Sequence, residues 1–192
     1  MKKLMRLVFV LCLLVFGTQV AFANSDKATI LEGADITGIH RLALAKPLYI
    51  PSSNLAPTMD QLVEIEGDAS KVARMYVISY PTAAESIKTD TQVDILALDR
   101  HQAAKVFKDN ASKYADAYVV LTVANDSRTS FFFDVYKAGT NELLYTYQIQ
   151  ANRSEKDSVS TYQNFCEQFY KNFERSIADQ QKNNAKAEKK AK

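Results

Sequence analysis

Apolar residues in this chain recur with two different periods, and each change of period marks an element. Near the C-terminus, Val159, Tyr162, Phe165, Cys166, Phe169, Phe173 and Ile177 are spaced by three and four residues. That spacing puts them on one face of a long amphipathic helix. Ser160 and Gln163 resemble a capping box at its start. Residues 143–150 alternate instead. Leu143, Tyr145, Tyr147 and Ile149 point one way and Thr146, Gln148 and Gln150 the other, as in a strand with one buried face. Residues 117–124 (AYVVLTVA) are apolar on both pleat faces, which predicts a central strand covered on both sides. Residues 131–136 (FFFDVY) read as a strand. Residues 137–141, with Gly139 free to adopt positive φ, read as the loop of a hairpin.

The first half of the chain is less regular. Residues 40–49 read as a strand bounded by prolines. Residues 58–66 read as a short helix between Pro57 and Gly67, and 74–80 as a strand stopped by Pro81. Residues 82–88 allow a helical turn or two. Residues 93–98 (VDILAL) form a short apolar run, read as a strand. Asp99 then fits a helix N-cap, with Gln102 three residues on. Ala103, Ala104, Phe107, Ala111 and Tyr114 follow at helical spacing. Strand, helix and the 117–124 strand form a β-α-β unit with a right-handed crossover. The predicted fold class is therefore α/β, a single domain. It has a mixed sheet of about five strands with a β-α-β unit, a β-hairpin and a long C-terminal amphipathic helix.

The opening residues belong to a different class. Lys2, Lys3 and Arg6 precede an apolar run from Leu7 to Phe16, and Ala21-Phe22-Ala23 is a small-x-small pattern. This is the layout of a secretory signal peptide over residues 1–23, and the run is about half the ~20 residues a spanning helix needs. Cys12 does not fit a lipidation site, because Leu11 precedes it where a small residue is required. The expectation is an exported protein, periplasmic or extracellular. Residues 24–38 would be an N-terminal extension, 39–181 the α/β domain and 182–192 a disordered basic tail.

Export changes the charge. The 192 residues carry 24 basic and 22 acidic groups. Loss of three basic residues leaves 21 against 22, a net charge of −1. The tail from Lys182 holds five Lys and one Glu, so the body is at −5. A mildly acidic body is a poor nucleic-acid binder, which needs cations clustered on the fold. The tail could make weak contact with anionic surfaces. Only Cys166 survives cleavage, so no intramolecular disulfide forms.

Residues 93–150 resemble a group of bacterial envelope domains. The carriers are VDILALDRHQAAKVF as a strand leading into a helix, YADAYVVLTV as a turn into a central strand, and KAGTNELLYTYQ as a Gly-containing turn into the next strand. The group includes the curli-export lipoprotein domain, the amino-terminal domain of the Tol translocation protein and lipoprotein activators of peptidoglycan synthases. The chain is also similar to secreted proteins of diderm bacteria that have no characterised role. It has no lipidation Cys, no propeller domain and no transmembrane hairpin insertion. The resemblance implies a non-enzymatic envelope domain that engages other proteins, and it transfers no site residue.

The candidate chemistry is sparse. His40 and His101 lie far apart with no ligand spacing around them, so neither a metal nor a cofactor is expected. Asp99, Arg100 and His101 are consecutive on a helix and point apart. Cys166 sits on the apolar stripe, where a thiol is inert. The pairs Asp90/Asp94 and Glu64/Glu66 could serve glycoside hydrolysis only if they converged across a cleft, and they read as solvated faces. No nucleophile elbow, phosphate loop or dinucleotide fingerprint occurs. The aromatic hairpin is richer. Phe132, Asp134 and Tyr136 share one strand face, which could bind a partner if helices cover only the other side. The expected function is a non-catalytic binding or assembly accessory of the cell envelope, with envelope protein partners. The alternatives are a small exported hydrolase using carboxylates such as Asp94 and Asp99, or a small-ligand-binding protein.

Overall fold

A computed structural model describes residues 25–51, 56–125, 128–152 and 157–191. The proposed signal peptide lies outside the described residues. Among them, no helix is long and apolar enough to cross a membrane. One mixed sheet forms the body. Its strands are β1 (Ser25–Ile30), β2 (Arg41–Leu44), β3 (Leu48–Tyr49), β4 (Tyr76–Ile78), β5 (Ala117–Asn125), β6 (Thr129–Lys137) and β7 (Leu143–Gln150). The helices are α1 (Met59–Ala69), α2 (Tyr80–Thr91), α3 (Arg100–Asn110) and α4 (Val159–Ala191). The strand order is β1-β7-β6-β5-β2-β4, and β3 also pairs with β5.

β5 is central, as its two apolar faces predict. It runs antiparallel to β6 and parallel to β2 and β3. The expected 40–49 strand is split, because Pro47 has no N–H for the ladder. The chain realigns beyond it, so that β2 and β3 occupy successive stretches of the same β5 edge. The carboxylate of Asp116 accepts the amides of His40 and Arg41 at 2.9 and 2.8 Å and starts β2.

Four expectations are corrected. Residues 93–98 form no strand. Asp94 bonds to the Leu96 amide through Oδ1 at 3.1 Å, and its carbonyl accepts from Ala97. This local turn takes backbone groups that a ladder would need. The parallel neighbour of β2 is β4 instead, and the route from β4 to β5 carries α2 and α3. Pro81 does not stop a strand ahead of a turn or two. It lies in the first turn of a twelve-residue helix whose N-cap is Ser79, where a missing N–H costs nothing. Residues 25–30, expected as an extension, add an antiparallel edge strand to β7. Finally, residues 182–191 continue α4 rather than fraying. Ala, Lys, Glu and Gln there are strong helix formers.

Smaller differences have equally local causes. α1 runs through Gly67 to Ala69. It starts at a capping box, with Thr58 and Gln61 bonding reciprocally. α4 is capped two residues earlier than its expected box, since Ser158 and not Ser160 accepts from the Thr161 amide. In β7 a bulge opposite Val135 and Tyr136 shifts the pattern, so Leu144 is buried and Leu143 only half-buried.

α4 covers one whole face of the β5-β6-β7 region. Phe165, Cys166, Phe169, Tyr170 and Phe173 are fully buried against Phe131, Phe133, Tyr145 and Tyr147. Phe133 stacks on Phe169 at 4.4 Å, Phe131 meets Phe165 edge-on at 5.1 Å, and Tyr145 meets Phe173 at 4.9 Å. The same helix clamps the 34–37 loop. Gln180 accepts from the Ile36 amide at 2.9 Å and donates to the Ala34 carbonyl at 2.8 Å. It also reaches the 74–75 turn, where Glu174 accepts the Arg74 and Met75 amides.

One charged residue is enclosed in this layer. Glu66, expected on a solvated face, is 1% exposed. It follows Leu62 and Ile65 at helical spacing and lies against Cys166 and Tyr170 of α4. The Tyr170 hydroxyl donates to the Glu66 carbonyl at 3.0 Å. Glu66 Oε1 has no hydrogen-bond partner among the described residues. Burial pushes its carboxyl from 4.5 up to about 8, so it is neutral at neutral pH.

Two outcomes follow from this packing. Phe169→Ala, which empties the stack on Phe133, is expected to cost about 3–5 kcal/mol in chemical denaturation. Because the folded state holds the Glu66 proton that the unfolded state releases, stability is full below about pH 4.5. It falls as pH rises toward about 8, by on the order of 3 kcal/mol by neutral pH. Denaturation curves of Glu66→Gln across that window should lose this slope.

Candidate functional site

The sheet is covered unequally. On the side opposite α4, α2 and α3 cover only the β4-β2-β5 half. Their core includes Ala43, Ile78, Ala83, Ile87, Phe107 and Tyr118, and no residue of β7 or β1 belongs to it. β6 alternates across this boundary. Phe131, Phe133 and Val135 face α4, while Phe132, Asp134 and Tyr136 face the other way. The three residues singled out in the sequence therefore do share a face, and helices cover that face only at its margin.

The structure divides them. Tyr136 stacks on Tyr118 at 5.3 Å with an interplanar angle of 17°, and Tyr118 in turn meets Phe107 edge-on at 5.8 Å. Tyr136 is thus the rim of the second core. Phe132 and Asp134 lie beyond that rim. Both are half-buried, and Phe132 belongs to neither core cluster. The ladder places Thr122 and Gln148 on either side of Phe132, and Val120 and Thr146 on either side of Asp134. Lys27 and Thr29 of β1 extend the face past Gln148 and Thr146. The result is a shallow polar surface with one aromatic ring and one carboxylate near its centre.

Asp134 makes no ion pair among the described residues. Burial raises its carboxyl above the usual aspartate range. Tyr136 is raised by its own burial and then by the Asp134 charge. A half-desolvated carboxylate without a counter-ion is an electrostatic liability that a cation placed over it would relieve. The sequence reading missed Thr122, Thr146 and Gln148 as part of this surface. The alternation in residues 143–150 already turned Thr146 and Gln148 away from the core.

The remaining candidates have structural work. Asp99 caps α3, accepting the His101 and Gln102 amides at 2.9 and 3.0 Å. Asp94 pairs with Lys88 at 2.9 Å, and that bond holds its carboxyl below the usual value. Asp90 accepts from the Tyr114 hydroxyl at 2.6 Å. Glu64 is exposed and Glu66 enclosed, so this pair does not converge. His40 and His101 are exposed. Cys166 is fully buried, and its thiol is pushed well above the ordinary value by burial and then by Glu66. Among the described residues no group of three or more His, Cys, Asp or Glu is placed to hold a metal ion.

No protein-family model matches the chain, and no curated protein matches its sequence. Similar solved structures include a PelC dodecamer from Paraburkholderia phytofirmans, with a TM-score of 0.42 and 8% identity over 76% of this chain and 94% of that one. A substituted PelC dodecamer from the same organism gives a TM-score of 0.44 and 7% identity over 74% and 92%. The C-terminal domain of LpoB from Escherichia coli gives 0.45 and 11% over 63% and 89%. These are likenesses of layout, and they assign no role to any residue of this chain.

Proposed function

We propose that this protein is an exported, non-catalytic binding accessory of the cell envelope, and that Phe132 and Asp134 on the uncovered half of the sheet engage a protein partner. The observation that carries the reading is the unequal covering of the sheet by the described residues, which leaves an aromatic ring and a carboxylate without an ion pair among them on a largely polar surface. Interfaces are built from such rigid aromatic anchors within a polar rim. The partner would present an Arg or Lys to Asp134 beside an apolar group for Phe132. The absence of convergent chemistry supports binding over catalysis, since the acidic residues named for a hydrolase are individually committed to a cap, an ion pair or a tyrosine. The basic end of α4 could add weak contact with anionic envelope surfaces.

Capture from native envelopes tests this. The combined Phe132→Ser and Asp134→Lys change should lose a specific partner that a control change at exposed Lys113 retains, with both variants folded by circular dichroism. A partner held equally by both would sink the assignment. Separately, the Asp134 carboxyl should titrate in NMR above the ordinary value of about 3.9 in the free protein. It should move downward when a cationic partner is bound. Because its folded value is raised, Asp134→Asn should increase stability at neutral pH.

A further inference from the structure

A second feature adjoins that face and shares Val120 with it. Just past the carboxyl ends of β2 and β4 and beside the middle of β5, a cavity of about 550 Å³ opens along α3. Its floor is apolar, formed by Tyr80, Phe107 and Val120, with Pro47 and Leu48 at one wall. Its charged residues are Lys46, Arg100 and Lys108, together with His101, and no Asp or Glu lines it. All four are exposed, and none makes an ion pair among the described residues. Four cationic or titratable groups around one recess are unexpected on a chain body that is net acidic.

The neighbouring cavity makes the contrast clear. On the other side of Lys46 and Tyr80, a recess of about 570 Å³ is lined by Asp60, Glu64 and Asp68. Two adjoining hollows of similar size thus carry opposite charge, and only the first offers an anion a favourable field. The volume lies within the range of small-molecule sites.

We infer that this cavity binds a small organic anion. Lys46, Arg100 and Lys108 would hold its acidic head, and its aromatic or aliphatic body would lie against Phe107, Tyr80 and Val120. Neither contact alone suffices. An inorganic anion would not use the apolar floor, and a neutral hydrocarbon would not use the cations.

Fluorescence titration of the purified protein with anilinonaphthalene sulfonate, with its uncharged parent phenylnaphthylamine, and with octanoate as competitor tests this. One sulfonate site per chain is expected, displaced by octanoate, with the neutral analogue at least about tenfold weaker. The double variant Lys46→Glu and Arg100→Glu should weaken sulfonate binding by about tenfold or more. It should fold normally, because both positions are exposed and a carboxylate in the first turn of α3 suits the helix dipole. Ala104→Trp, which fills the cavity from its exposed rim without touching a charge, should abolish binding. Equal affinity for charged and neutral probes, titrations unchanged in both variants, or no saturable binding at millimolar probe would overturn the assignment.

Discussion

The layer of aromatic rings between the sheet and α4 constrains everything else in the molecule. Phe131, Phe133, Tyr145 and Tyr147 rise from two antiparallel strands to meet Tyr162, Phe165, Phe169 and Phe173 from one helix. Ring pairs of this kind contribute beyond their buried area, because offset-stacked and edge-on geometries satisfy the ring quadrupoles. They also fix position. A stack at 4.4 Å between Phe133 and Phe169 sets both the height and the rotation of α4 on the sheet. A single free cysteine is the only thiol among the described residues, so no disulfide among them reinforces this packing.

That placement has consequences at a distance. With α4 anchored by its rings, Gln180 and Glu174 reach the backbone of the 34–37 loop and the 74–75 turn. The helix therefore ties segments from the beginning and middle of the chain to its end. Glu66 shows what the layer tolerates. A carboxyl enclosed beside Cys166 and Tyr170 stays neutral and makes the docking of α1 on α4 sensitive to pH. On the far side, no comparable layer exists past Tyr136 among the described residues. The sheet is closed by two short helices over one half and left open over the other, and the open half and the cation-lined cavity lie on that same side.

Much of this was legible in the chain. The i, i+3, i+4 stripe of α4, the two apolar faces of β5, the Asp99 cap and the hairpin around Gly139 follow from local chemistry that the tertiary structure had no reason to override. The failures also have local reasons. VDILAL looks like a strand by its apolar content, yet Asp94 can bond its own backbone, and one such turn outweighs a weak ladder. SDKATI offers no periodic apolar signal. It becomes a strand only because the free edge of β7 needs a partner and Asp26 accepts from the Tyr147 hydroxyl at 3.0 Å. Glu66 was readable in part, since Leu62, Ile65, Glu66 and Ala69 share one face of α1, but its charge argued for solvent.

The sequence alone determined which side chains are apolar, their period, and hence which faces must be buried. It also placed Phe132, Asp134 and Tyr136 on a common face, because strand alternation is a property of the backbone. Only the tertiary structure decided which of those faces a helix covers. Covering depends on where α2, α3 and α4 dock, and docking is set by complementary shape between elements far apart in the chain. Periodicity carries no information about that. The meeting of Lys46, Arg100 and Lys108 around one cavity, and the enclosure of Glu66 against Cys166, are of the same kind. Such non-local juxtapositions are written in three dimensions and not in spacing.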